Sequence, residues 1–304
     1  MYDSLNIWQN KENLKDCGYL QKVPTLLRNT THSIRSNGIE YITGYLDNLL
    51  VSVSENGLSI KGSLNKFWYD DNFCKLTRQE AQHSIEKLQD LLQVNLLNAD
   101  IKRLDIAHNF IMNEEVKNYY NFLGDCNYYK RLSQADSIYY NNGLRTKLFY
   151  DKVKEGKTKG AETPQIWQKS NVLRYELRFM KRLPKQFKKS QVLVSDLFDE
   201  NFYINTIDSW INEYVEIKKN RLLTPNIDNM TSKNSLEYLL SAYIEKFGKS
   251  FADDFLELNK NNFSTTKEAS RSKKKLKELK GLTEESPLMK ELDSKILRVK
   301  EYYR

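Results

Sequence analysis

The chain has 304 residues, a formal net charge of +8, 39% hydrophobic and 12% aromatic residues, enough apolar content for a packed core in one large or two ordinary domains. No apolar run approaches the roughly 18 residues of a membrane span. The opening MYDSLNIW lacks the basic-then-apolar order of a signal peptide. Cys17, Cys74 and Cys126 include no C-x-x-C pair, which argues against a zinc site or disulfide frame and for a reducing compartment. The expected location is therefore the cytoplasm, and the positive charge favours a polyanionic partner.

In chain order, residues 2–8, 39–45 and 49–54 read as strands. Glu55-Asn56-Gly57 is a turn signal, and Leu58–Gly62 returns as a strand, with Lys61, Asn65 and Lys66 at the mouth of this hairpin. Thr77-Arg78-Gln79-Glu80 is a capping box. Ala81, Ile85, Leu88, Leu91 and Leu92 then recur at helical spacing, so 78–93 is expected to be a helix. Ile101–Phe110 reads as a strand with Arg103, Asp105, Ala107 and Asn109 on one face. Residues 113–123 look helical.

Residues 136–155, DSIYYNNGLRTKLFYDKVKE, are expected to form the central hairpin: a strand at Ser137–Tyr140, a turn at Asn141-Asn142-Gly143, and a return strand at Thr146–Lys152. Period 2 puts Leu148, Tyr150 and Lys152 on one face. Residues 155–170 read as a polar loop, and Val172–Phe179 as a strand with Arg174, Glu176 and Arg178 on one face and Leu173, Tyr175, Leu177 and Phe179 on the other. From about residue 200 the periodicity is helical, over 202–220, 233–247, 250–260, 265–280 and 284–302. The expected fold is α+β: an antiparallel-rich sheet with flanking helices over 1–195, then an α-helical region over 196–304.

Three strands each carry one polar feature that stands out: Asp105, Tyr150 and Glu176, of which the two acids are types that strands disfavour. Two carboxylates facing a tyrosine suit phosphodiester transesterification assisted by a hard divalent cation such as Mg²⁺ or Mn²⁺. A free tyrosine has a pKa of about 10 and is a weak nucleophile until a base, cation or metal favours the phenolate. Lys152 can supply the cation, Glu155 a third ligand or base, and Arg145, Arg174 and Arg178 phosphate clamps. Periodicity alone leaves bland readings open. Asp105 could pair with Arg103, Glu176 could belong to a charge ladder, Tyr150 is one of 19 tyrosines, and His108 lies on an apolar face.

IKRLDIAHNF, SIYYNNGLRTKLFYDKVKE and VLRYELRFMKR, in that order, resemble the three-block pattern of the filamentous-phage gene II proteins and their phage/plasmid II/X relatives, which are rolling-circle replication initiators. The blocks are also similar to those of plasmid trans-acting initiators and the relaxases related to them. The likeness covers about residues 1–200. It implies that Tyr150 in FYDK is the nicking tyrosine, that Asp105 in RLD and Glu176 in RYE bind metal, and that Lys152 and Glu155 match the lysine and acid after the tyrosine. It implies a nick at an origin, a 5′-phosphotyrosyl link and a second transesterification that circularises the displaced strand. The His-hydrophobic-His motif of many rolling-circle nickases is missing from the sequence, so a carboxylate site is expected.

Tyr139 and Tyr140 are alternative attackers or platforms for an unstacked base. With Arg103, Arg145, Arg174, Arg178, Lys61 and Lys66 they form the expected DNA-contacting set. The helical tail, through Lys267–Lys280, is expected to bind origin duplex or a host helicase. The rival readings are a DNA-binding regulator without chemistry and a conjugative relaxase.

Overall fold

The computed structural model describes residues 1–14, 18–36, 38–160, 163–223, 231–247, 249–278 and 283–303. Cys17 and Lys280 therefore lie outside the described residues. The chain divides into two compact units: residues 1–117, 126–216 and 296–304 form the first, and 118–125 and 217–295 the second.

The first unit is built on β1 (Tyr2–Asn10), α1 (Tyr19–Thr25), β2 (Arg28–Ile34), β3 (Glu40–Leu46), β4 (Leu49–Ser54), β5 (Gly57–Ser63), α2 (Leu64–Tyr69), α3 (Arg78–Leu92) and β6 (Asp100–Met112). After α4 (Val116–Tyr120) and β7 (Leu123–Cys126) come β8 (Lys130–Gln134), β9 (Ser137–Asn141), β10 (Arg145–Asp151), α5 (Lys152–Thr158), β11 (Asn171–Phe179), α6 (Leu183–Phe187) and α7 (Glu200–Val215). Ten strands form one sheet in the order β2-β3-β4-β5-β1-β6-β11-β10-β9-β8. Every neighbouring pair in it is antiparallel. The α+β architecture expected from the sequence is the one observed.

The two hairpins that the Asn-Gly signals predict are both present. Gly57 takes φ 142°, and a Cβ there would stand 2.1 Å from the Gln9 carbonyl oxygen. In the central hairpin only Gly143 has positive φ (81°). The Asn142 side chain accepts from the amides of Leu144 and Arg145, adding to the backbone bond from the Asn142 amide to the Arg145 carbonyl at 3.2 Å. The α3 capping box forms as read: Thr77 accepts from the Glu80 amide and Glu80 reaches back to the Thr77 amide. Leu91, expected in the buried stripe, is instead exposed; Ala81, Ile85, Leu88 and Leu92 carry the packing.

One face of the sheet packs against α7. Phe149 and Tyr175 stack with ring centres 4.5 Å apart, and Tyr175 meets Trp210 at the same distance. The Tyr175 hydroxyl donates to the Trp210 carbonyl at 3.1 Å. This aromatic layer fixes which side of β10 and β11 is core, and so leaves the alternate residues to the other face.

The second unit holds β12 (Ile217–Lys219), β13 (Leu222–Leu223), α8 (Ser232–Phe247), α9 (Lys249–Leu258), α10 (Thr266–Glu278), β14 (Thr283–Glu284) and most of α11 (Pro287–Tyr303). β13 and β14 pair antiparallel, and Thr265 caps α10 by accepting from the Glu268 amide. Among the described residues no helix is long and apolar enough to cross a membrane.

Candidate active site

The sheet register brings the sequence-singled residues to one face. Tyr150 pairs with Arg174, Leu148 with Glu176, and Thr146 with Arg178 across β10 and β11. Arg174, Glu176 and Arg178 pair in turn with Asn109, Ala107 and Asp105 on β6. Directly opposed residues share a face, so Tyr150, Glu176 and Asp105 lie on the side away from α7. The half-buried Tyr150 hydroxyl donates to Glu176 Oε2 at 3.5 Å, a long contact.

Around them runs a ladder of alternating charge. Arg103 donates twice to Asp105, at 2.8 and 2.5 Å. Arg178 Nε lies 2.6 Å from Glu176 and 3.9 Å from Asp105. Arg174 Nη2 lies 2.8 Å from Asp3, and Arg174 Nε 3.8 Å from Glu176. Asp3 also accepts from Ser63 at 3.0 Å. Both Asp105 and Glu176 are buried, while the Arg103 and Arg178 side chains keep about a third of their surface in solvent.

The electrostatics strain against two anions here. Burial first, then the Glu176 charge, pushes the Asp105 carboxyl up to about 7, although Arg103 chelates it. Burial also holds the Tyr150 phenol well above its ordinary value; Arg174 works against this and Glu176 adds to it. Both shifts come first from burial, since Arg103, Arg174 and Arg178 balance the formal charges of Asp3, Asp105 and Glu176. The acids on this face that a hard divalent ion would use, with water and phosphate oxygens completing its shell, are Asp105 and Glu176, each of which is engaged by an arginine. Among the described residues no set of three His, Cys, Asp or Glu side chains is grouped to hold a metal.

Beside Tyr150 the chain turns from strand to helix. Lys152, read from the sequence as the end of the strand, opens α5 instead, because Asp151 caps that helix by accepting from the amides of Val153 and Lys154. The buried Lys152 ammonium lies 2.7 Å from Glu155 and 5.9 Å from the Tyr150 ring centre. Burial lowers the Lys152 pKa, with Arg174 adding to the fall. Burial works to raise Glu155, but hydrogen bonds from Lys152 and Lys159 win and bring it to about 2. Glu155 is thus engaged by two lysines rather than joined with Asp105 and Glu176 in an acidic cluster.

The remaining residues divide. Tyr139 pairs with Leu148, so it shares the Tyr150 face and is half-buried. Tyr140 points the other way and is fully buried, its ring edge-on to Phe149; it offers no surface to a base. Arg174 is likewise buried and neutralised by Asp3, which makes it an internal counter-ion rather than a phosphate clamp. Arg145 pairs with Glu213. Lys61 is exposed and stands in the cross-strand row Lys61–Asn6–Arg103, while Lys66 is half-buried in the first turn of α2. His108 pairs with Tyr175 on the α7 side, and burial lowers it to about 3. Asp3 was missed by the sequence reading; its only signal was an acid inside an otherwise apolar-alternating first strand.

No curated protein matches the chain. A family model for the N-terminal region of a phage replication-associated protein matches residues 27–213. That is well over half the chain and spans Asp105, Tyr150 and Glu176. The chain therefore belongs to the gene II-type family of phage replication initiators.

Proposed function

We propose that this initiator is a DNA nickase and strand transferase acting at a replication origin, with Tyr150 as nucleophile. The observation that carries the reading is the Tyr150 hydroxyl directed at Glu176, on the sheet face that also holds Asp105. In the first step Tyr150 Oη attacks a backbone phosphorus as its proton passes to Glu176, the bond to the 3′ oxygen breaks, and that oxygen takes up the proton by way of water. The products are a 5′-phosphotyrosyl link and a free 3′ hydroxyl. In the second step a 3′ hydroxyl attacks the phosphotyrosine, the Tyr150 oxygen leaves and takes up the proton that the 3′ hydroxyl gives up, and the strand is rejoined. Asp105 and Glu176 would hold Mg²⁺ or Mn²⁺, which when bound neutralises charge on the phosphate oxygens. Lys152 favours the phenolate electrostatically, and the exposed parts of Arg103, Arg178 and Lys61 offer cations to the strand.

One observation favours a DNA-binding regulator without chemistry: Asp105 and Glu176 each already have an arginine partner. Carboxylate variants separate the two readings. Asp105→Asn and Glu176→Gln are expected to lower nicking of origin DNA by at least about 100-fold while leaving DNA binding within about threefold. They should also abolish the rise in melting temperature that Mn²⁺ gives the parent protein without DNA. Nicking and Mn²⁺ stabilisation that survive in both variants would remove the acids from the mechanism.

A further inference from the structure

Next to the charge ladder lies a cavity of about 480 Å³ that none of the roles above uses. Its floor is Ala107, Asn109 and Arg174. Ala107 is the cross-strand neighbour of Glu176, and Arg174 that of Tyr150. The floor therefore continues the strand positions that carry the proposed chemistry. Phe73 and Trp167 form an aromatic wall, with ring centres 5.7 Å apart. The Lys152 ammonium lies 5.5 Å from the Phe73 ring centre and 5.9 Å from that of Tyr150, so a single cation stands between this wall and the hydroxyl-bearing ring.

The cavity is held open by its own bonds. The Asn109 amide donates to the carbonyls of Asn72 and Phe73 at 3.0 and 2.9 Å, and its oxygen accepts from Arg174 at 3.1 Å. Phe73 is buried against Val153 and Val172, while Trp167, packed on that cluster, stays half-buried. The volume is that of a small-ligand pocket. Arg174 is already neutralised by Asp3 at 2.8 Å, and the other charged side chains of the lining, Lys75 and Glu80, are of opposite sign, so the cavity offers no net cation to a phosphate. A planar, uncharged ring that stacks on aromatic faces suits the walls better, and a nucleobase is such a ring.

We infer that this cavity receives one unstacked nucleobase of the strand whose phosphate meets Tyr150, stacked at Trp167 and Phe73. The inference rests on the nicking reading for the placement of the strand. It makes Trp167 a residue that positions DNA for the reaction.

The test is fluorescence anisotropy with the full chain at fixed salt, using two single-stranded probes of about 12 nucleotides: oligothymidylate and an abasic backbone of equal length. The expected result is that Trp167→Ala weakens oligothymidylate binding about 10-fold and leaves the abasic probe within about twofold. Trp167→Phe keeps the preference for bases, which separates stacking from a loss of fold. Binding of oligothymidylate unchanged in Trp167→Ala, or both probes weakened equally in both variants, overturns the inference. Absence of a Tyr150-dependent covalent adduct would instead strike the nicking reading and leave this base preference in place.

Discussion

Arg174 shows how a charged side chain can be both fully buried and required. It sits under the sheet face with Asp3 at 2.8 Å and Asn109 at 3.1 Å. Removing one partner of a buried pair leaves the other charge uncompensated, at a cost of about 3–5 kcal/mol. Arg174→Met should therefore lower the urea midpoint sharply, and Arg174→Met combined with Asp3→Asn should recover part of the loss; a double variant no better than the single one contradicts the pairing. Asp105 makes a prediction of opposite sign. Its folded pKa of about 7 exceeds the ordinary 3.8, so the native state holds the extra proton between those values. Stability from this group is present below about pH 4 and is lost as pH rises to about 7, by an amount on the order of 4 kcal/mol. In metal-free buffer Asp105→Asn should gain on the parent protein as pH goes from 4 to 8; a gap that stays constant contradicts the burial argument. Asp105 and Glu176 were legible as acids inside strands, whereas Tyr150, an ordinary strand residue by type, stood out only through the ordered three-block resemblance. Asp3 was not, because its partner Arg174 comes from a strand far along the chain, and only the register brings the two together. Tyr139 and Tyr140 were both open in the sequence as platforms or attackers; parity on β9 puts only Tyr139 on the Tyr150 face, and Tyr140 is buried on the other.

At the scale of elements, the turns and the strand-to-helix switch after Tyr150 carry the consequences. Gly57→Ala drives a methyl into the Gln9 carbonyl at positive φ and should destabilise by more than about 2 kcal/mol, read from thermal melts. Asp151→Ala removes the cap on α5 and should cost about 1 kcal/mol. Because α5 carries Lys152, it should also slow nicking more than binding; equal effects on both would separate Lys152 from the chemistry. The elements legible in advance were those with strong local chemistry: the Thr77 capping box, the Asn-Gly hairpin, and the alternating β11. β2 was missed because RNTTHSI has no apolar alternation and is exposed along its whole length, so only pairing with β3 makes it a strand. α5 was missed because the strand pattern runs into Lys152, and the stop depends on a two-amide cap at Asp151.

For the whole molecule, a net charge of +8 predicts DNA affinity that falls steeply with salt, through release of counterions from each neutralised phosphate. The basic α10 carries Lys273, Lys274 and Lys275. Since residues 296–304 belong to the first unit, a tail deletion would damage the unit that holds Tyr150. Changing those three lysines to Gln is the cleaner probe. It should weaken origin binding and flatten the salt slope; an unchanged slope would remove this helix from DNA contact. The division into a first unit with an interleaved C-terminal segment was not legible, because no composition shift marks residues 118–125 or 296–304 as belonging to different bodies. The central claim is the identity of the nucleophile. Supercoiled origin DNA incubated with the full-length protein and Mg²⁺ or Mn²⁺, then resolved under denaturing conditions, tests it most directly. Open circles carrying covalently joined protein are expected for the parent chain and none for Tyr150→Phe; an equal yield of adduct from Tyr150→Phe would contradict the account.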